Sequence, residues 1–328
     1  VRLVVTCRLG KEKTMRAVAV DEFGGAPKVV DLPKTTPRGG ELLVEVAAAA
    51  VNPFDWKVAD GMLAKTMEHV FPFVLGMDFA GTVVETGPGD ARFGIGDRVF
   101  GSALRSAEGT GGAYAEFVTV PSGGLVASAA DLDPAQAATL PTAAGTALGL
   151  LEAGGATAGR TLLLVGAAGG VGTFLTQLAA ARGVRVLAVA RGVGEKAMGA
   201  LGAADTYDAR EGIVVDKVRT DYPEGVDVLV DLVSDTADFA AYAGLVRDGG
   251  VALSTLFTAD PQELGRRGVE GINHSQQSTP ELYDRLADEL RAHRITVPIE
   301  ARLPLEDTAA ALARSRLGGA RGKTVILP

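Results

Sequence analysis

The sequence predicts an α/β plus β chain: a doubly wound parallel sheet inserted into a β-rich, barrel-like domain. Three observations carry this expectation. Up to about Ala130, short apolar runs are broken by glycine and proline, the spacing of an all-β barrel. From about Leu140, near-continuous apolar runs alternate with segments of helical period, as in a parallel sheet covered on both faces. Gly166-Ala167-Ala168-Gly169-Gly170-Val171-Gly172 then stands between an apolar run and a helical segment, the strand, glycine turn and helix that open such sheets.

Taken in order, Met15-Arg16-Ala17-Val18-Ala19-Val20 reads as the first strand. Residues 1–14 carry little pattern and are expected to be a disordered extension, with Met15 the start of translation. Runs 42–46, 81–86, 97–100 and 114–120 follow as strands. A helix is expected over 146–152. The alternating part comprises strand 161–166, helix 171–182, strand 184–190, helix 195–201, strand 205–207, helix 213–221, strand 226–233, helix 238–246 and strand 251–256. A polar loop, 257–278, leads to helix 281–293. Strands 298–303 and 324–327 flank helix 307–315 and return to the first domain. The expected division is 15–138 with 295–328 as the β domain and 139–294 as the inserted sheet domain, with a ligand in the cleft between them.

Composition narrows the function. The formal net charge of −8 gives no electrostatic support to nucleic-acid binding. No apolar run approaches the ~20 residues of a membrane span, and the start lacks the apolar core of a signal peptide. The single cysteine, Cys7, excludes an internal disulfide and a multi-cysteine zinc site. A cytoplasmic location is expected.

The glycine turn makes a phosphate cradle if it binds anything. Backbone N–H groups at a helix start point at an anion, and the helix dipole favours negative charge there. Gly166, Ala167, Gly169, Gly170, Val171 and Gly172 are therefore candidate cofactor-binding residues. The Gly-x-x-Gly-x-x-Gly spacing is also compatible with a tight turn that holds no ligand. The strand at 184–190 ends beside the expected adenosine ribose, where an acid selects NADH and a base tolerates the 2′-phosphate of NADPH. Arg191 is the first residue past that strand and Lys196 lies about one helical turn on. Both are candidate phosphate ligands and NADPH is the expected cofactor. The other reading is two solvated surface cations, with Glu195 opposing them.

Several stretches then resemble the zinc-independent quinone oxidoreductase branch of the medium-chain dehydrogenase/reductase superfamily. They are Val51-Asn52-Pro53-Phe54-Asp55-Trp56-Lys57, Gly76-Met77-Asp78-Phe79-Ala80-Gly81, Gly96-Asp97-Arg98-Val99-Phe100-Gly101, Gly112-Ala113-Tyr114-Ala115-Glu116, Leu140-Pro141-Thr142-Ala143-Ala144-Gly145-Thr146-Ala147, the glycine turn, and Gly322-Lys323-Thr324-Val325-Ile326-Leu327-Pro328. The resemblance covers nearly all of residues 15–328. It implies a GroES-like β-barrel with an inserted Rossmann domain, a homodimer, and hydride transfer from NADPH to a small quinone or enone. Zinc-dependent relatives place a cysteine where Asn52 or Pro53 stands and a histidine–glutamate pair where Met77-Asp78 stands. His69, His274 and His293 occupy no such position, so no metal ligand is expected.

Without a metal, the protein must orient the ring and stabilise the oxygen that gains charge. The resemblance points to Asn52, Asp55, Lys57 and Thr146 as catalytic candidates. Each also has a plainer role: Asn52 as the turn residue before Pro53, Asp55 and Lys57 as an ion pair pinning the loop, Thr146 as a helix cap. Thr142, Ser254, Thr255, Phe257 and Lys323 join the cofactor-binding set. Tyr114 has two readings, a proton donor to the enolate or part of a structural strand, and the resemblance favours the strand. Ala209 replaces the tyrosine that family members often carry beside the 2′-phosphate. Two other functions fit the sequence: an enoyl-thioester reductase of a biosynthetic pathway, and a non-catalytic NADPH-binding sensor or structural protein.

Overall fold

The computed structural model describes residues 14–66, 69–89, 91–103, 112–292 and 294–328. The expected extension, with Cys7, falls on residues 1–13 outside that set, as does His293. Thr14 is already the first residue of a strand.

The first part of the chain builds two sheets. Strands β1 (Thr14–Val20), β2 (Lys28–Pro33) and β4 (Phe73–Val74) form a small antiparallel sheet. The larger one is organised on β3 (Glu41–Ala50), which pairs with β5 (Asp78–Thr86) on one side and β7 (Phe117–Pro121) on the other. Strands β6 (Arg98–Ser102) and β8 (Val126–Ser128) extend it beyond β5. The sheet is completed by β15 (Ile299–Pro304) and β16 (Lys323–Leu327), which return from the far end of the chain. Strand β16 pairs with β3 at Val325↔Ala50 and Ile326↔Ala49.

Helix α1 (Pro53–Ala59) starts directly after β3 because Pro53 presets the helical φ at the first position and Asn52 is extended at φ −128°. Three elements lead out of the barrel: α2 (Pro134–Ala137), a single π-helical turn at Leu140–Ala144, and α3 (Gly145–Ala153). The sequence reading did not anticipate α1, α2 or the π turn, which are too short to show a helical period.

The inserted sheet consists of β9 (Thr161–Val165), β10 (Arg185–Ala190), β11 (Asp205–Asp208), β12 (Val226–Asp231), β13 (Val246–Ser254) and β14 (Glu270–Asn273), all parallel. Their spatial order is β11-β10-β9-β12-β13-β14, so direction of winding reverses between β9 and β12. Helices α4 (Gly170–Ala181), α5 (Val193–Ala200), α6 (Val214–Asp221), α7 (Thr236–Ala243), α8 (Pro261–Gly265) and α9 (Pro280–Arg291) accompany it. Leu162 and Leu164 pack into one core and Leu163 and Val165 into another, as strands covered on both faces require. The first core also holds Ala48, Ala50 and Phe100 of the barrel. Ion pairs Arg92–Asp284 (2.9 Å) and Arg291–Asp131 (2.8 Å) reinforce this junction. Helix α10 (Thr308–Leu317) lies between the two returning strands.

Two expectations need correction. The supposed loop 257–278 contains α8 and the sixth strand, β14. That strand has one large apolar residue, Ile272, and sits at the sheet edge, so it has no apolar run to read. Tyr114 lies before β7 rather than in it, fully buried.

Candidate active site

The glycine turn closes the C-terminal end of β9 at the point where strand order reverses, the usual ligand crevice of such sheets. Gly166 adopts φ +87°, which an L side chain rarely tolerates. The N–H groups of Gly166 and Ala167 both donate to the Val189 carbonyl, tying the turn to β10. A Cβ on Gly172 would lie 2.4 Å from the Ala167 oxygen, so this glycine lets helix and turn touch. Gly169 is different. Its φ is −75°, and a Cβ there would meet only the Gly166 oxygen, at 3.4 Å. As the N-cap of α4 it offers no side chain to close the helix start. The first-turn N–H groups around Gly170 and Val171 are thus open to an anion, which fits a dinucleotide pyrophosphate.

At the end of β10, Arg191 and Lys196 are both exposed. Glu195 is turned aside and accepts a hydrogen bond from the Thr206 hydroxyl. A third cation joins them: the Arg210 Cζ lies 2.9 Å from where a Cβ on Gly192 would stand. Asp208 holds this guanidinium and also accepts from the Gly192 N–H at 3.0 Å. Arg210, with help from these N–H groups, keeps the Asp208 carboxyl well below the usual carboxylate range.

Beside the turn lies a buried polar network. Lys323 on β16 is 3% exposed, and its Cδ is 2.8 Å from where a Cβ on Gly170 would be. Its ammonium donates to the Val51 carbonyl at 2.8 Å and to Asn52 Oδ1. Asn52 Nδ2 donates to Asp78 Oδ2 at 2.9 Å. Asp78 also accepts from the Thr142 N–H (3.0 Å) and hydroxyl (2.8 Å). Asp55 Oδ2 accepts from the Asn52 N–H and from the Tyr114 hydroxyl, both at 2.7 Å. Asp55 Oδ1 is buried and has no partner among the described residues.

Burial governs the protons here. It pushes the Asp55 carboxyl up to about 7, against the hydrogen bonds from Tyr114 and Asn52. It pushes Asp78 up to about 6, opposed first by the charge of Lys323. It also lowers the Lys323 ammonium, while Asp78 and Asp55 hold it up.

Other expected site residues fall nearby in different roles. Thr146 does not cap α3; its hydroxyl donates back to the Thr142 carbonyl at 2.7 Å. Lys57 forms no ion pair with Asp55 among the described residues, because Asp55 turns inward while the Lys57 ammonium lies over the Trp56 ring. Ser254 ends β13 with its hydroxyl 2.8 Å from that of Thr258, and Leu256 N–H donates to it at 3.1 Å. Thr255 N–H donates to the Asp231 carbonyl at 3.2 Å. Phe257 is 63% exposed at φ +61°, a strained backbone for a non-glycine residue.

Comparison with known proteins agrees with this architecture. Residues 38–130 match the alcohol dehydrogenase GroES-like domain, and residues 201–326 match the zinc-binding dehydrogenase family model. A quinone oxidoreductase of Sus scrofa is 30% identical over 336 residues, covering 96% of this chain and 98% of that protein. One from Rattus norvegicus is 33% identical over 231 residues, 68% of each chain. The chain belongs to the quinone oxidoreductase branch of the medium-chain dehydrogenase/reductase superfamily. Among solved structures, a mycobacterial protein complexed with NADPH superposes with a TM-score of 0.82 at 31% identity, covering 96% of this chain and all of that one. As a member of this superfamily the protein is an oxidoreductase of an NAD(P)-binding dehydrogenase family.

Of the residues this geometry brings together, Asp78 and Arg210 are absent from the candidates read from the sequence, and Tyr114 is read there as structural. Asp78 had a signal: a carboxylate heading the apolar run Phe79-Ala80-Gly81 must be buried with partners. Arg210 had a weaker one, as a base just past the third strand of the inserted sheet. Tyr114 had one too, as a hydroxyl that could donate to the enolate, set against the strand role expected of it.

Proposed function

We propose that the protein transfers hydride from NADPH, without a metal, to a quinone or α,β-unsaturated carbonyl acceptor. The observation that carries this reading is that Lys323 packs against the glycine turn while its ammonium engages the Asn52–Asp78 network. A nucleotide site and a buried proton store meet at one side chain.

The charges at the end of β10 favour NADPH over NADH. Arg191, Lys196 and Arg210 stand where an acid would otherwise meet the ribose 2′-hydroxyl, and a 2′-phosphate has cations to accept it. Gly169, Gly170 and Val171 hold the pyrophosphate through backbone N–H groups. Ser254, Thr255 and Phe257 border the nicotinamide with backbone groups, and Thr142 and Thr146 close the site from the π turn and α3. Bound there, NADPH supplies a hydride to an acceptor whose double bond is already activated.

The chain's own residues then orient the acceptor and manage the proton. Asn52 stands inside the network between Lys323 and Asp78, and the Thr146 hydroxyl borders it through the Thr142 carbonyl. Asp55, raised to about 7, gains and loses a proton near neutral pH, while Tyr114 and Asn52 donate to its Oδ2. Where zinc-dependent relatives carry ligands, Asn52 and Asp78 are committed to each other. Among the described residues, no three His, Cys, Asp or Glu side chains come together to hold a metal. The β14 edge supports a homodimer. No helix among the described residues is long and apolar enough to cross a membrane.

The test is NADPH oxidation with 1,4-benzoquinone, 9,10-phenanthrenequinone, 2-alkenals and a crotonyl thioester, with and without a metal chelator. Turnover of a quinone or enone that the chelator leaves unchanged is expected. Protein that neither shifts NADPH fluorescence nor oxidises it would end this reading; turnover confined to the thioester would move it to an enoyl-thioester reductase.

A further inference from the structure

We infer that Lys323 is a positioning residue that couples the nucleotide site to the barrel's buried carboxyl pair, so that nucleotide binding is accompanied by proton uptake at Asp55 and Asp78. This deepens the NADPH reading and rests on it. The link is continuous in space. The Lys323 stem packs on Gly170, in the first turn of α4. Its ammonium donates to Asn52 Oδ1, Asn52 Nδ2 donates to Asp78, and the Asn52 N–H donates to Asp55. Each member is nearly or wholly buried, so these charges are weakly screened.

The arrangement is incomplete without an anion. Lys323 donates to two oxygens and has three donors. Its charge lies beside the positive end of α4, where two like potentials meet. On the carboxyl side, the buried Asp55 Oδ1 has no partner among the described residues and is the atom a proton taken up on binding can occupy. A pyrophosphate at the turn satisfies the Lys323 side of this arrangement and competes for its ammonium. The carboxyls then lose part of the positive field that favours their ionised form.

The sign follows from electrostatics alone. An added negative charge favours the protonated form of every nearby group, neutral for a carboxyl and charged for an amine. Asp55 on α1 and Asp78 on β5 are faced by Tyr114 from the segment before β7, by Lys323 from β16, and by Tyr283 from α9. Both tyrosines are held neutral, so the carboxyls and Lys323 are the groups that respond. The proton comes from solvent, and no bond to the nucleotide is made or broken.

The experiment is calorimetric titration with ADP-ribose at about pH 6.5, between the two carboxyl values, in two buffers of different ionisation enthalpy. ADP-ribose carries the pyrophosphate but not the 2′-phosphate, which itself titrates near pH ~6 and would release protons on binding. Wild-type protein is expected to take up a few tenths of a proton per nucleotide. Lys323→Met should diminish that uptake, and Lys323→Arg should keep it. Asp55→Asn gives a second route should Lys323→Met not fold, and should reduce the uptake in otherwise wild-type protein. Binding without proton exchange in the wild type, or undiminished uptake in Lys323→Met or in Asp55→Asn, overturns the coupling and leaves the NADPH reading intact. Failure of both ADP-ribose and NADPH to bind the wild type overturns the NADPH reading, and the coupling with it.

Discussion

The glycine turn and the Lys323 network lie side by side and are built in opposite ways. The turn is consecutive residues acting through backbone, with no side chain required at its tightest points. The network is side chains acting through one another, drawn from α1, β5, the segment before β7, the π turn and β16. The two therefore fail differently. Added atoms break the turn, because its function is close approach. Removed atoms break the network, because each loss strands a buried donor or acceptor.

The sharpest way to break this comparison is Gly172→Val. Its Cβ must displace the Ala167 carbonyl, and a loss of about 4 kcal/mol or more is expected, seen as insoluble protein or a large fall in Tm. Asp78→Ala tests the other side. It removes the acceptor of three hydrogen bonds at a buried carboxyl and should cost about 3 kcal/mol in denaturant unfolding. A neutral result there would mean the network is not stabilising.

Arg191→Ala with Lys196→Ala removes only exposed charge. The double variant should weaken NADPH by about 10- to 100-fold in fluorescence titration and leave NADH nearly unchanged. Equal losses for both nucleotides would remove the 2′-phosphate from this corner. Gly169→Ala separates ligand approach from fold, since only one ordinary contact awaits its Cβ. Unchanged Tm with NADPH affinity down about 10-fold is expected.

The smallest effect is the network's response to pH. Asp55 and Asp78 bind protons more tightly in the folded chain than in the unfolded one, so the native state holds more protons between about 4 and 7. Their contribution to stability is complete below the unfolded value and is lost as pH rises through the folded values. Asp55→Asn should flatten that fall in Tm.

Much of the fold was legible because parallel strands buried on both faces write themselves as apolar runs. Thr161–Val165 and its glycine turn could be read from adjacent residues. Strand β14 could not, since an edge strand with Ile272 alone for its core has no period to detect. The site divided along the same line. Arg191 lies directly after a readable strand. Asp55 and Lys57 looked like an ion pair because they are near neighbours in sequence, yet helix geometry turns one inward and the other onto Trp56. Asp78 meets Thr142, 64 positions away, only through the packed fold.

Strand β16 has a bearing on how the protein is made. It pairs with β3 across most of the chain's length and brings in Lys323 from the far side of the inserted sheet. Such a contact carries a large loop-closure cost and forms late unless the intervening unit is already compact. The parallel sheet, whose six strands run from Thr161 to Asn273, lies wholly within that loop and shortens it once it has folded. No nascent chain ending before residue 323 carries the cation of the network. The protein is synthesised with its carboxyls waiting for a counter-ion that the ribosome delivers after everything else in the site.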